Sequence, residues 1–257
     1  MTRIKVAFAC TAVLAALAAC GGDSSKSAEP ASPKAAPDAK KVDAATASTI
    51  KGKVRLEGTP PENPVLRMSS DPACGNAEVR AESYLVDNGA VQNVFVYIKD
   101  GLGNKYIFDT PSEPAKLDQK GCHYVPHVLG LRVTQPLEVS NSDETLHNVH
   151  AMPQTNRQFN QPQPIVGMKN TVTFPTPEVM VPFKCDVHAW MIAYVGVVDH
   201  PYFAVTGKDG TFELKTVPPG TYTIEAWHEK LGRQTQSVTI GEKDGKELTF
   251  AFKVGAS

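Results

Sequence analysis

What most constrains this chain is the dominance of strand signals past about residue 48, cleanest as apolar–polar alternation near the C-terminus, with no long amphipathic helical period beside them. Phe212 and Leu214, then Tyr222, Ile224 and Ala226, then Val238 and Ile240, then Leu248, Phe250, Phe252 and Val254 stand one residue apart within each run. Successive side chains of a strand point to opposite faces, so this spacing gathers one apolar row on one side of a sheet. Lys208-Asp209-Gly210, Pro218-Pro219-Gly220 and residues 241–245 separate the runs with turn formers. The pattern predicts an all-β fold. Ile50 to Gly58 reads as another strand, and Val94 to Lys99, apolar on both faces, reads as a central one. Both are expected to complete the sandwich begun by the C-terminal strands, leaving residues from about 112 to 200 as an inserted unit of short strands; adjacent, non-interleaved domains are the alternative.

The N-terminus carries targeting information. Arg3 and Lys5 precede an apolar run of about fourteen residues, Val6 to Ala19, too short to span a hydrocarbon core of ~30 Å. Leu17-Ala18-Ala19-Cys20, followed by Gly21-Gly22, resembles a bacterial lipobox. That resemblance implies cleavage before Cys20 and lipid attachment to it, hence an envelope protein on the periplasmic side, at the outer membrane if the cell is Gram-negative. The other reading is an ordinary secretory signal. Residues 21–48 are rich in Ala, Ser, Pro, Lys and Asp with almost no large apolar side chain, the composition of a tether. Net charge is -1 from 26 basic and 27 acidic side chains, which excludes a basic nucleic-acid binder.

The inserted unit holds two chemically pointed segments, Leu146-His147-Asn148-Val149-His150 and, 38 residues after His147, Cys185-Asp186-Val187-His188-Ala189-Trp190-Met191. A thiolate, two imidazoles and a thioether form the trigonal His2Cys set with weak axial Met that suits copper. The split between one distant His and a compact C-x2-H-x2-M loop resembles the cupredoxins, and among them the amicyanins. The resemblance implies a Greek-key sandwich or barrel holding one type 1 copper on His147, Cys185, His188 and Met191. It departs from the family at Asp186, where cupredoxins usually carry Thr or Ser, and at Ala189, where amicyanin-like proteins tend to have Pro. Asn148 and Asp186 are expected to bond outside the ligands, the departures giving a shifted potential or a looser loop, and His150, on the same strand as His147, is expected to face the same way as a neighbour of the site. Trp190 is either a partner contact or an ordinary half-buried aromatic.

Asp209-Gly210-Thr211-Phe212 through Val217-Pro218-Pro219-Gly220-Thr221-Tyr222 resembles the carboxypeptidase regulatory-like, transthyretin-like β-sandwiches. The expected organisation is therefore a leader at 1–19, a tether at 20–48, N-terminal sandwich strands at 49–111, a cupredoxin-like domain at 112–200 and a regulatory-like sandwich at 201–257.

Five cysteines are an odd number, and each has its own fate. By the resemblances above, Cys10 is expected in the leader, Cys20 as the anchor and Cys185 as a ligand. Cys74 and Cys122 are expected to pair, as leftover cysteines of exported proteins do. The competing reading joins Cys122 with His123 and His127 in a second metal site. His200, Trp227 and His228 carry no constellation. The leading function is one-electron transfer between redox proteins not named by the sequence; copper sequestration and a non-metal scaffold are the alternatives. No nucleophile–base pair points to an enzyme.

Overall fold

In the computed structural model, which describes residues 36–75 and 78–255, the chain is built of strands, and the only helical element among these residues is one 3-10 turn, Pro72–Cys74. The expected leader, the expected anchor at Cys20 and the expected tether up to residue 35 lie outside the described residues. The last part of the tether is docked: Lys40 bridges Tyr106, the Ile107 N–H donates to the Lys40 carbonyl at 3.0 Å, and Lys41 pairs with Asp109 at 2.7 Å. Its polar composition hid backbone groups that find partners in the 104–109 loop.

The strands in chain order are β1 (Ser48–Glu57), β2 (Val86–Asp87), β3 (Ala90–Val91), β4 (Phe95–Asp100), β5 (Ala115–Gln119), β6 (Tyr124–Val125), β7 (Val128–Arg132), β8 (Leu137–Asn141), β9 (His147–Ala151), β10 (Phe159–Gln163), β11 (Lys169–Val172), β12 (Glu178–Lys184), β13 (Ile192–Val198), β14 (Phe203–Val205), β15 (Thr211–Val217), β16 (Gly220–His228), β17 (Gly232–Ile240) and β18 (Lys246–Lys253). In the first sandwich a sheet ordered β15-β1-β3-β2, with β18 parallel to β1, faces one ordered β14-β4-β16-β17. Ile50, Val54, Phe212, Ile224 and Phe250 are among the side chains buried between them. The second sandwich faces β10-β9-β12-β13-β7 with β11-β8-β5-β6, around Leu117, Leu137, Val149, Phe183 and Val195. It is inserted in the first: the chain leaves after β4 and returns in β14, which pairs with β4.

Strand β4 shows why its sequence is apolar on both faces. Val96 and Ile98 enter the core of the first sandwich, while Phe95 and Tyr97 point the other way, into a small cluster with Val128 and Val198 of the second. Gly130 and Gly196 are register partners on β7 and β13. A Cβ on Gly196 would stand 2.5 Å from the Phe95 ring, and one on Gly130 would stand 2.4 Å from Phe203. The paired glycines thus form a hollow that admits two aromatic rings, whose centroids lie 5.7 Å apart.

Two buried histidines make stability depend on pH. The Tyr202 N–H donates to Nδ1 of His200 at 3.2 Å while Nε2 faces the Ile98 carbonyl at 2.7 Å, and Nδ1 of His228 accepts from the Lys230 and Leu231 amides at 3.2 Å each. With Nδ1 accepting, both rings are neutral, and burial lowers each pKa to about 4. The unfolded rings titrate near 6.5, so this contribution is complete above that pH and is lost as pH falls toward 4, by about 3 kcal/mol per histidine. Denaturant midpoints should fall from neutral pH to about pH 4.5. A His200→Gln/His228→Gln variant should lose most of that slope, and an unchanged slope would count against the assignment.

Candidate metal centre

Strands β9 and β12 lie side by side, with Lys184 opposite His150 and Phe183 opposite Ala151. His147 opens β9, and residues 185–191 form the loop from β12 into β13, so sheet pairing brings the distant histidine beside the loop. The loop closes on itself: the Met191 N–H donates to the His188 carbonyl at 2.9 Å, and the Cys185 N–H to the Met191 carbonyl at 3.3 Å. His147, Cys185, His188 and Met191 are all at most 2% exposed. The Tyr124 hydroxyl donates to the carbonyls of Asn148 and Lys184 at 2.9 and 3.0 Å, clamping both strands below the site. Burial pushes its phenol far above the ordinary range, so it remains a donor.

The three strongest donors have the dimensions of a metal site. Cys185 Sγ stands 3.9 Å from Nδ1 of His147 and 3.9 Å from Nδ1 of His188, and the two nitrogens are 3.0 Å apart. An isosceles triangle with these sides has its circumcentre about 2.1 Å from each corner. That is close to the roughly 2.0–2.3 Å of metal–imidazole and metal–thiolate bonds. Burial lowers the pKa of His147 against the opposing hydrogen bond to Asp143, which favours the neutral ring that can bind a cation.

The second nitrogen of each ring meets a carboxylate: His147 Nε2 lies 3.0 Å from Asp143 Oδ2, and His188 Nε2 lies 3.0 Å from Asp71 Oδ2. Such partners fix ring orientation and tautomer in metal sites. Neither acid was singled out from the sequence. Asp143 stands four residues before His147, a spacing that could have drawn notice; Asp71 is 117 positions from His188, and the only hint was its nearness to Cys74.

Asn148 Nδ2 donates to Asp186 Oδ2 at 2.9 Å, and the Asp186 N–H donates to Asn148 Oδ1 at 2.5 Å. The carboxylate thus takes the place expected of a hydroxyl. Hydrogen bonds from His150, then Asn160 and Asn148, hold the Asp186 carboxyl below its usual range. His150 does not face the way His147 does. His150 stands three positions after His147, and strand alternation puts an odd offset on opposite sides: His147 is fully buried, whereas His150 is partly exposed and pairs with Asp186 at 2.9 Å.

Cys74 and Cys122 form a disulfide. The alternative second metal site fails, because Cys122 is consumed, His123 Nδ1 turns to the Gly121 carbonyl at 2.8 Å, and His127 pairs with Glu229 at 2.5 Å. Trp190 is half-buried against His188, ring centroids 5.1 Å apart, and its indole N–H donates to the Cys122 carbonyl at 3.0 Å.

No family model and no curated protein matches the chain. Solved structures that resemble part of it include a copper-containing nitrite reductase from Thermus scotoductus, 22% identical over 37% of this chain and 24% of that one, TM-score 0.31. A purple cupredoxin from Nitrosopumilus maritimus is 21% identical over 32% of this chain and 98% of its own, TM-score 0.28. A reduced amicyanin variant is 20% identical over 35% and 86%, TM-score 0.31. The chain spans about a quarter of the nitrite reductase, and likenesses this shallow leave the site to be judged on its own residues.

Proposed function

We propose that this chain is a type 1 copper protein that carries single electrons in the cell envelope, anchored through Cys20, with a cupredoxin-like domain inserted in a regulatory-like, transthyretin-like sandwich. The reading is carried by one observation: a cysteine sulfur and two imidazole nitrogens, all from buried residues, surround a point about 2.1 Å from each. His147 and His188 would bind through Nδ1 and Cys185 through Sγ, with Met191 as the weak axial donor. Copper in such a set supplies a one-electron couple. The protein's part is to orient both imidazoles through Asp143 and Asp71, to fix the cysteine loop through Asn148 and Asp186, and to keep water out. Four donors make a filled set, so the reading is of a carrier and not of an enzyme.

Protein expressed without residues 1–20 and given Cu(II) should bind one ion, develop an intense visible band from thiolate-to-copper charge transfer, and bleach reversibly with ascorbate. Absence of the band would sink the type 1 assignment. Copper held without reversible bleaching would instead favour sequestration.

A further inference from the structure

The segment that reaches His188 belongs to neither sheet of the metal-binding sandwich. It lies between β1 and β2 of the other sandwich and folds back on itself, the Leu66 N–H donating to the Val79 carbonyl at 2.7 Å and the Ala81 N–H to the Pro64 carbonyl at 2.9 Å. At its tip Asp71 caps the 3-10 turn, Oδ1 accepting from the Ala73 N–H at 2.9 Å. Its other oxygen accepts from the Thr145 hydroxyl at 2.6 Å and meets His188 Nε2 at 3.0 Å. The same turn delivers Cys74 to Cys122, and both sulfurs lie within 4.8 Å of a His188 ring nitrogen. Trp190 covers another side of that ring.

We propose that residues 66–75 are a lid on the metal centre, latched by the Cys74–Cys122 disulfide, and that Asp71 is a positioning residue that holds His188 with its proton on Nε2 and its Nδ1 lone pair toward Cys185 and His147. The inference deepens the copper reading and rests on it for what the lid protects. Its physical basis is that a lone surface carboxylate would not hold a fixed place over an imidazole: entropy and solvent would disperse an exposed pair. Here the carboxylate has a backbone donor and a hydroxyl donor of its own, and a covalent bond three residues away prevents the segment from swinging clear. His147, Cys185 and His188 would hold a metal behind this cover, and the lid would have to move to expose the His188 side of the site. A redox partner would therefore meet the lid and not the bare edge of His188.

Two variants of the whole mature chain separate this from a merely structural loop: Asp71→Ala, which keeps the latch, and Cys74→Ala/Cys122→Ala, which removes it. In metal-free protein, long-range nitrogen–proton NMR should show His188 as the Nε2–H tautomer, and Asp71→Ala should give a mixture of tautomers; this arm needs no copper. In copper-loaded protein, Asp71→Ala should weaken copper by about 10- to 100-fold in chelator competition, the usual effect of removing an outer partner of a ligand. The double-alanine variant should release copper to the chelator at least about tenfold faster. A parent His188 in the Nδ1–H tautomer overturns the inference, as does a tautomer unchanged in Asp71→Ala or copper affinity and release unchanged in both variants. If the double variant does not fold, Asp71→Ala decides alone. If the parent binds no copper, the copper reading fails while the tautomer measurement still decides the role of Asp71.

Discussion

Exchanging Cys185 for serine is expected to abolish the visible charge-transfer band while leaving the fold and the disulfide in place. Cys185 is the only free cysteine among the described residues, and it is buried, so no other thiolate can replace it while Cys74 and Cys122 stay bonded. A serine oxygen is a harder donor with no comparable charge transfer, and two imidazoles with a thioether no longer select copper over other ions. Copper affinity should fall by more than the roughly 10- to 100-fold that loss of an outer partner costs, because a direct ligand is gone. Stability should change by only about 1–2 kcal/mol, since the new hydroxyl sits beside ring nitrogens that can hydrogen-bond to it. A spectrum retaining the band would show that the thiolate assignment is wrong.

The second large effect concerns the joint between the sandwiches. Phe95→Ala should lower stability by about 3–5 kcal/mol, the cost of deleting a fully buried aromatic side chain, because Phe95 is 0% exposed and fills the hollow over Gly130 and Gly196. Gly196→Ala should also destabilise, by about 1–3 kcal/mol or more, because its methyl would meet three ring carbons of Phe95 at 2.5–2.8 Å. The sharper test is the double variant. With the ring gone the methyl has room, so Phe95→Ala/Gly196→Ala should be distinctly more stable than the sum of the two losses predicts, as residues in contact couple. Strict additivity in denaturant unfolding would show that the glycine hollow does not seat the ring.

Much of this arrangement was legible from residue order because it rests on local physics. Alternation at Phe212 and Leu214 or at Tyr222, Ile224 and Ala226 marks one buried row per strand whatever the strand pairs with. Cys185, His188 and Met191 share one loop, so their proximity follows from chain length alone. The double-sided apolar character of Phe95 to Ile98 announced a central strand, although not that one of its faces would serve a second core. His150 was misplaced because its facing depends on an odd separation from His147, which alternation sends to the other side.

What the chain by itself determined, then, is the strand content, the grouping of thiolate, thioether and one imidazole in a single loop, and the inventory of cysteines, since each depends on neighbours only a few residues apart. Tertiary structure alone decided the rest. The nesting of one sandwich in the other, the glycine hollow under Phe95, and the carboxylates of Asp143 and Asp71 behind the two histidines are contacts made when strands pair and loops close. The pairing of Asp71 with His188 joins residues 117 positions apart, where periodicity carries no signal and only the closed disulfide and the packed cores specify who meets whom.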